Sequence, residues 1–420
     1  MWYLLYNRPV ILYCHPKRGR YVLLFQIIRT PEKGWTDMVA ERQQPDHMAP
    51  YLRQKRERIF SELRRGHQII IRDQKGQAAI LRAAEFADFG KTVPQDAVYS
   101  GELLCLTAQH VASWGRPVSA DTACFSSPVS MLSDQDILSS IVGQSDSGKQ
   151  IEHLLAEKKD SLPELACRIL RAAKLLPAAL IARCASSEPA FINRLAESYE
   201  LAVIDYYEIA ELATVREPKL IISSRAQLPL SAADEAEIVM FREEGGTEEH
   251  FAVIVGSPEQ ADKNPVPLVR LHSQCVTGDV LGSLKCDCGQ QLQGSLRMMN
   301  EAGYGILLYL EQEGRGIGLL NKIRAYALQD KGFDTVDANH RLGFNTDERV
   351  FAPAAAMLKA LRCSRINLLT NNPDKISQLA SFDIDIVSRI GLAISPNSFN
   401  KAYLDTKRDR TGHLLEDKPE

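Results

Sequence analysis

Three cysteines, Cys275, Cys286 and Cys288, fall within fourteen residues of the stretch LVRLHSQCVTGDVLGSLKCDCG. Thiolate is a soft ligand that favours zinc, and three protein ligands leave one tetrahedral position for water, as a catalytic site requires. Such a water loses a proton near neutral pH, which makes hydroxide available to attack an electron-poor carbon such as an amidine or a formamide. Spacing alone leaves two other readings open: a closed structural site completed by Cys363 or His272, and three buried thiols without a metal.

Further on, GILLYLEQEGRGIGLLNKIRAYAL reads as a buried strand, a tight turn allowed by Gly314, Gly316 and Gly318, and a helix. A turn of this kind can hold an anion on free backbone N–H groups, although it has neither the Walker lysine spacing nor the full dinucleotide fingerprint. Glu313 is suited to accept from a guanine-type amino edge, and Arg315 to clamp a phosphate in bidentate fashion; a surface salt bridge between such residues is the plainer alternative. In HRLGFNTDER, Asp347 and Arg349 stand two apart, so the carboxylate can hold the guanidinium. INLLTNNPDKI predicts a strand ending at Thr370, Asn371 and Asn372, with Lys375 entering a helix. Open α/β sheets bind ligands at that end of a strand, and a helix cap explains Asn372 equally well.

The elements that must position these groups point to a mixed α/β and α+β architecture. Two domains are expected, each a mixed sheet with packed helices: residues 51–215 and 218–420, behind an N-terminal extension of about 50 residues that reads as hairpins. The run RERIFSELRRG predicts a helix ending at Gly66, and QIIIRD a strand. The stretch 120–160, rich in Ser, Asp and Gly, is expected to be looped. PELACRILRAAKLL and PAFINRLAESY predict helices around the strand AALIARC. EPKLIISSRAQLPLSAAD, residues 217–234, is expected to cross between domains, and EIVMFRE and HFAVIVG open the second sheet. With 50 basic and 53 acidic residues, no global polyanion surface is implied and nucleic acid is not an expected partner. Nine cysteines without a regular framework suggest reduced thiols and the cytoplasm, and no apolar run is long enough to span a membrane.

Taken in order, RLHSQC, GSLKCDCG, EGRGIGLLNKIRAYALQDKGFDT, HRLGFNTDER, LLTNNPDKI and YLDTKRDRTGHLL resemble GTP cyclohydrolase II, the entry step of riboflavin biosynthesis, over about 200 residues. The resemblance implies that Cys275, Cys286 and Cys288 hold zinc and that GTP loses formate and pyrophosphate to leave a phosphoribosylated diaminopyrimidine. It implies Arg349 as nucleophile toward the α-phosphate, Asp347 as proton acceptor and Mg2+ on the triphosphate; a transition-state clamp at Arg349 would leave the same signature. Tyr326 matches the tyrosine of ring opening. The nucleotide site would comprise Arg270, Leu271, His272, Ser273, Gln274, Gln291, Glu313, Gly314, Arg315, Thr335, Thr370 and Lys375. Gln274 stands where the family usually has glutamate, which removes a charge near the metal. A homodimer is implied.

ELRRGHQIIIRD and RAAKLLPAALIARC resemble the framework of dihydroxybutanone phosphate synthase, often fused ahead of this enzyme. The acidic metal-binding loop is replaced by RDQKGQAAIL, with Asp73 its only carboxylate, and Arg183 stands where the family strand carries a catalytic glutamate. A degenerate domain without chemistry is expected. The alternatives are a bifunctional enzyme and a GTP-binding regulatory protein in which both halves have decayed.

Overall fold

The computed structural model describes residues 48–86, 97–99, 101–143, 151–212, 215–260, 266–392, 394, 397–400, 406 and 409–410. The hairpins expected in residues 1–47 and most of the tail motif lie outside this set.

A run of three isoleucines flanked by polar residues makes β1 (Ile69–Arg72), fully buried over its first three positions, after helix α1 (Met48–Arg64). β2 (Ala78–Ala83), β3 (Leu103–Thr107), α2 (Ala108–Ser113), β4 (Cys124–Pro128), α3 (Asp134–Ile141), β5 (Leu155–Glu157), α4 (Leu162–Ala172), β6 (Ala178–Arg183), α5 (Pro189–Ser198), β7 (Ala202–Ile204) and α6 (Tyr206–Glu211) follow. The sheet order is β5-β4-β3-β6-β2-β1-β7, antiparallel except for the β1/β7 pair. The loop expected over 120–160 is instead β4, α3 and β5 in its described part. Ser133 starts α3 through a capping box with Asp136, so serine and aspartate here are helix punctuation.

The second sheet contains β8 (Leu220–Gln227), β9 (Ala236–Glu243), β10 (Glu249–Gly256), β11 (Leu268–Ser273), then α7 (Cys288–Glu301), β12 (Tyr304–Leu310), α8 (Leu319–Gln329), α9 (Thr335–Arg341), α10 (Ala352–Ala360), β13 (Arg365–Leu369), α11 (Pro373–Ser381) and β14 (Asp385–Ile390). Its order is β14-β13-β11-β12-β10-β9-β8; the four strands β14, β13, β11 and β12 run parallel and the rest antiparallel. Eight of the eighteen residues in the segment expected to cross between domains form β8, an exposed edge strand whose polar residues reflect its single neighbour. The mixed-sheet expectation is otherwise borne out.

The two sheets share hydrophobic core. Leu104, Leu106, Val111, Trp114 and Phe125 of the first half pack in one buried cluster with Ile317, Ala325, Leu328, Leu342 and Phe344 of the second. Among the described residues, no helix is long and apolar enough to cross a membrane.

Candidate active site

The carboxyl ends of β11, β12 and β13 point the same way because these strands are parallel. Each delivers a polar segment to one open cleft: Gln274 and Cys275 after β11, Gln312 to Arg315 after β12, and Thr370 to Asn372 after β13. This is the general ligand position of open α/β sheets.

Cys275, Cys286 and Cys288 present three Sγ atoms within 4.8 Å of one another, with Cys275 and Cys286 3.7 Å apart. The trio is the one such group among the described residues, so neither Cys363 nor His272 joins it. The backbone leaves the room they need at Gly278, where a Cβ would lie 2.8 Å from the Cys286 Sγ and 3.1 Å from that of Cys275. Three convergent soft donors around a space kept free of side chain fit a zinc ion with an open position.

The side chains around the trio are held in place. Asp279 accepts from the backbone N–H of Cys275 (3.0 Å) and the hydroxyl of Tyr309 (2.9 Å), and its carboxylate meets His272 Nε2 at 3.0 Å. Burial pushes the His272 imidazole down, against the opposing pull of Asp279. Asp287, between the two later cysteines, accepts from Gln291 Nε2 (2.5 Å), and Gln291 accepts in turn from Arg270. Arg270 also donates to the Leu369 carbonyl (3.2 Å), tying β11 to β13 beneath the site.

Lys322, on α8, sits at the centre. Its ammonium donates to Cys275 Sγ (3.0 Å), Thr277 Oγ1 (2.7 Å) and Glu313 Oε1 (2.9 Å), and lies 5.6 Å from the centre of the Tyr326 ring. Burial works against its charge, but these acceptors hold its proton more tightly than usual. Glu313 is 7% exposed and its Oε2 accepts from Val276 N (2.7 Å). The pair is therefore a buried strut, and both Glu313 oxygens are engaged within the protein. No sequence motif singles out Lys322; its place nine residues after Glu313, across a glycine turn, is the only local hint.

The glycine turn uses left-handed backbone at Gly314 and Arg315 (φ 64° and 62°). A Cβ at Gly314 would come 2.9 Å from that of Lys322, so glycine there lets the lysine reach the thiol. Asp347 and Arg349 form the expected fork, Nε–Oδ1 2.9 Å and Nη2–Oδ2 2.6 Å. Burial raises the Asp347 carboxyl, but Arg349, with help from Arg315, holds it below the ordinary carboxylate range. Lys375 enters α11 behind the Asn372 cap and donates to the Leu271 carbonyl (2.8 Å). The phenol of Tyr326 is pushed up to about 12 by burial. Every residue that the resemblance assigns to the site lines the cleft except Asp347, which reaches it through Arg349.

A family profile described as GTP cyclohydrolase II matches residues 222–391. A GTP cyclohydrolase-2 from Klebsiella pneumoniae is 50% identical over 196 residues, 47% of this chain and 96% of that relative. The chain belongs to the GTP cyclohydrolase II family. A GTP cyclohydrolase-2 from Azospirillum brasilense is 46% identical over 247 residues, 59% of this chain and 63% of the relative. The riboflavin biosynthesis protein RibBA of Synechocystis is 39% identical over 263 residues, 61% of this chain and 47% of the relative. The chain thus spans less than two thirds of the length of these two relatives. Both matches are too long to fit within residues 218–420, so they reach into the first sheet domain. A solved two-domain dihydroxybutanone phosphate synthase from A. baumannii aligns with 81% of this chain at 15% identity and a TM-score of 0.30, too distant to bear on the argument.

Proposed function

We propose that the chain hydrolyses GTP to formate, pyrophosphate and a phosphoribosylated diaminopyrimidine, with zinc on Cys275, Cys286 and Cys288. The observation that carries this is the juxtaposition of a three-thiol cluster with Arg270, Arg315, Arg349 and Lys375 around one cleft. Thiolates suit a metal that activates water, and the cationic groups suit a triphosphate. Arg270 Nε, Ser273 Oγ and Gln312 Oε1 are buried in this wall without a hydrogen-bond partner in the protein, as expected of groups reserved for a ligand.

Zinc held by Cys275, Cys286 and Cys288 would supply Lewis acidity and a nucleophilic water near neutral pH. Tyr326 is protonated at neutral pH, so it can give a proton to the opening ring beside the thiols. Arg349 is fixed by Asp347 before substrate arrives and can receive phosphate without reorganisation. A carboxylate held below its usual pKa is a weak base, which favours Arg349 as a charged clamp over a deprotonated nucleophile. Mg2+ would accompany the triphosphate.

The first domain fits a synthase-like framework without synthase chemistry. Asp73 Oδ1 accepts from the backbone N–H groups of Lys75 (2.9 Å) and Gln77 (2.8 Å), so its carboxylate closes the β1–β2 hairpin. Arg183 donates to Gln77 at 3.3 Å.

Purified protein with GTP and Mg2+ is expected to release formate and pyrophosphate, and a Cys286→Ser variant to lose zinc and formate release together. Zinc and tight GTP binding without any product would identify a regulatory protein instead. Formation of dihydroxybutanone phosphate from ribulose 5-phosphate would refute the reading of the first domain.

A further inference from the structure

The helix that carries Lys322 and Tyr326 into the cleft is fastened on its other side to the first domain. Asn321, 1% exposed, donates through Nδ2 to the carbonyls of Lys174 (2.9 Å) and Ile317 (3.0 Å), and its Oδ1 accepts from Arg324 (2.8 Å). Arg324 donates to Glu85 Oε2 (2.8 Å), and Glu85 Oε1 accepts from the Leu176 N–H (3.0 Å). The network joins α8 to two turns of the first domain and leaves no polar group of the Asn321 amide unmatched.

A second set of contacts fastens the loop that holds Asp347 and Arg349. Thr107 donates to the Gly343 carbonyl (2.9 Å), and Gln109 donates to Asn345 Oδ1 (2.9 Å). His110 fills the space over Gly343, where a Cβ would lie 2.2 Å from its Nδ1. At the far end of the loop Glu348 lies 3.6 Å from Arg171 of the first domain, while its backbone N–H donates to the Arg315 carbonyl (3.0 Å). Interfaces between mobile domains are small and polar; this one has a continuous apolar core with buried polar networks at two edges.

We propose that the first domain is a positioning clamp for the GTP site, with Asn321 the positioning residue for α8 and Gln109 the one for the Gly343–Arg349 loop. The proposal rests on the GTP reading given above. Neither residue touches the cleft. Each fixes a wall whose groups serve a different half of the reaction: Tyr326 on α8 serves ring opening, and Arg349 on the loop serves the phosphates. A displacement of about 1 Å is enough to cost on the order of 100-fold in rate.

The test uses the full chain with Asn321→Leu and, separately, Gln109→Ala, measuring formate and pyrophosphate release at saturating GTP, zinc content and thermal unfolding. Asn321→Leu is expected to lower formate release about 10- to 100-fold more than pyrophosphate release, with zinc retained. Gln109→Ala, at a partly exposed site and therefore the safer variant for folding, is expected to lower pyrophosphate release, and formate release with it, about 10-fold while zinc content and the thermal midpoint stay at the wild-type values. Simple destabilisation would lower both products by the same factor, in step with the folded fraction. Equal losses of the two products in Asn321→Leu, or losses in Gln109→Ala no larger than its loss of folded fraction, would overturn the clamp alone. A wild type that releases neither product would overturn the GTP reading and the clamp with it.

Discussion

Replacing Lys322 with methionine keeps the unbranched stem and removes the ammonium that joins the thiol cluster to the glycine turn. Three contacts disappear, to Cys275 Sγ, Thr277 Oγ1 and Glu313 Oε1. Glu313 keeps the backbone N–H groups of Val276 and Gly314 but loses its countercharge at 7% exposure. Breaking one side of a buried ion pair costs about 3–5 kcal/mol, and the two surviving hydrogen bonds put this case near the lower end. Three thiolates around a dication carry one excess negative charge, which the lysine offsets. Loss of such an outer partner weakens metal binding about 10- to 100-fold. Urea unfolding of the zinc-loaded and chelator-stripped proteins separates the effects: the stripped variant reports the unpaired glutamate, and competition with a chromophoric chelator reports zinc affinity. An unchanged urea midpoint together with unchanged zinc affinity would refute the assignment of Lys322 as the strut between metal loop and substrate turn.

Gly278→Ala is expected to fold but to lose zinc, because its Cβ would stand 2.8 Å from Cys286 Sγ; metal analysis beside circular dichroism checks this. Arg349→Lys keeps a charge but loses the fork with Asp347, and pyrophosphate release is expected to fall about 10-fold for each charged hydrogen bond lost, read from kcat at saturating GTP. Burial holds the His110 imidazole down at about 4, below its ordinary 6.5, so the folded state favours the neutral ring. Its contribution to stability is complete above pH 6.5 and is lost as pH falls through about 4, a change of about 3 kcal/mol that should be absent in His110→Gln; urea unfolding across that range measures it.

Much of the site was legible because its chemistry demands particular residue types at short spacing. Three cysteines within fourteen residues, an Asp-x-Arg fork and an asparagine cap before Lys375 are local patterns, and the folded chain realises each with the geometry its spacing allows. Other features were hidden for physical reasons. β8 reads as polar because an edge strand needs little apolar surface, and α3 reads as loop because its start is built from capping residues. Asp279 looks like an ordinary turn residue, yet it fixes His272, Tyr309 and the Cys275 backbone at once. No spacing rule reveals a carboxylate whose partners come from three elements.

The sequence by itself determined the three-cysteine cluster, the order of the polar segments that meet at the cleft and the mixed-sheet class, since these follow from side-chain chemistry and from periodicity within one element. Only the tertiary structure decided that Glu313 is spent on Lys322, and that α8 and the Gly343–Arg349 loop rest on the first domain through Asn321, Gln109 and His110. Those are contacts between residues far apart in the chain, whose energy exists only once the intervening chain has been ordered and the groups desolvated together.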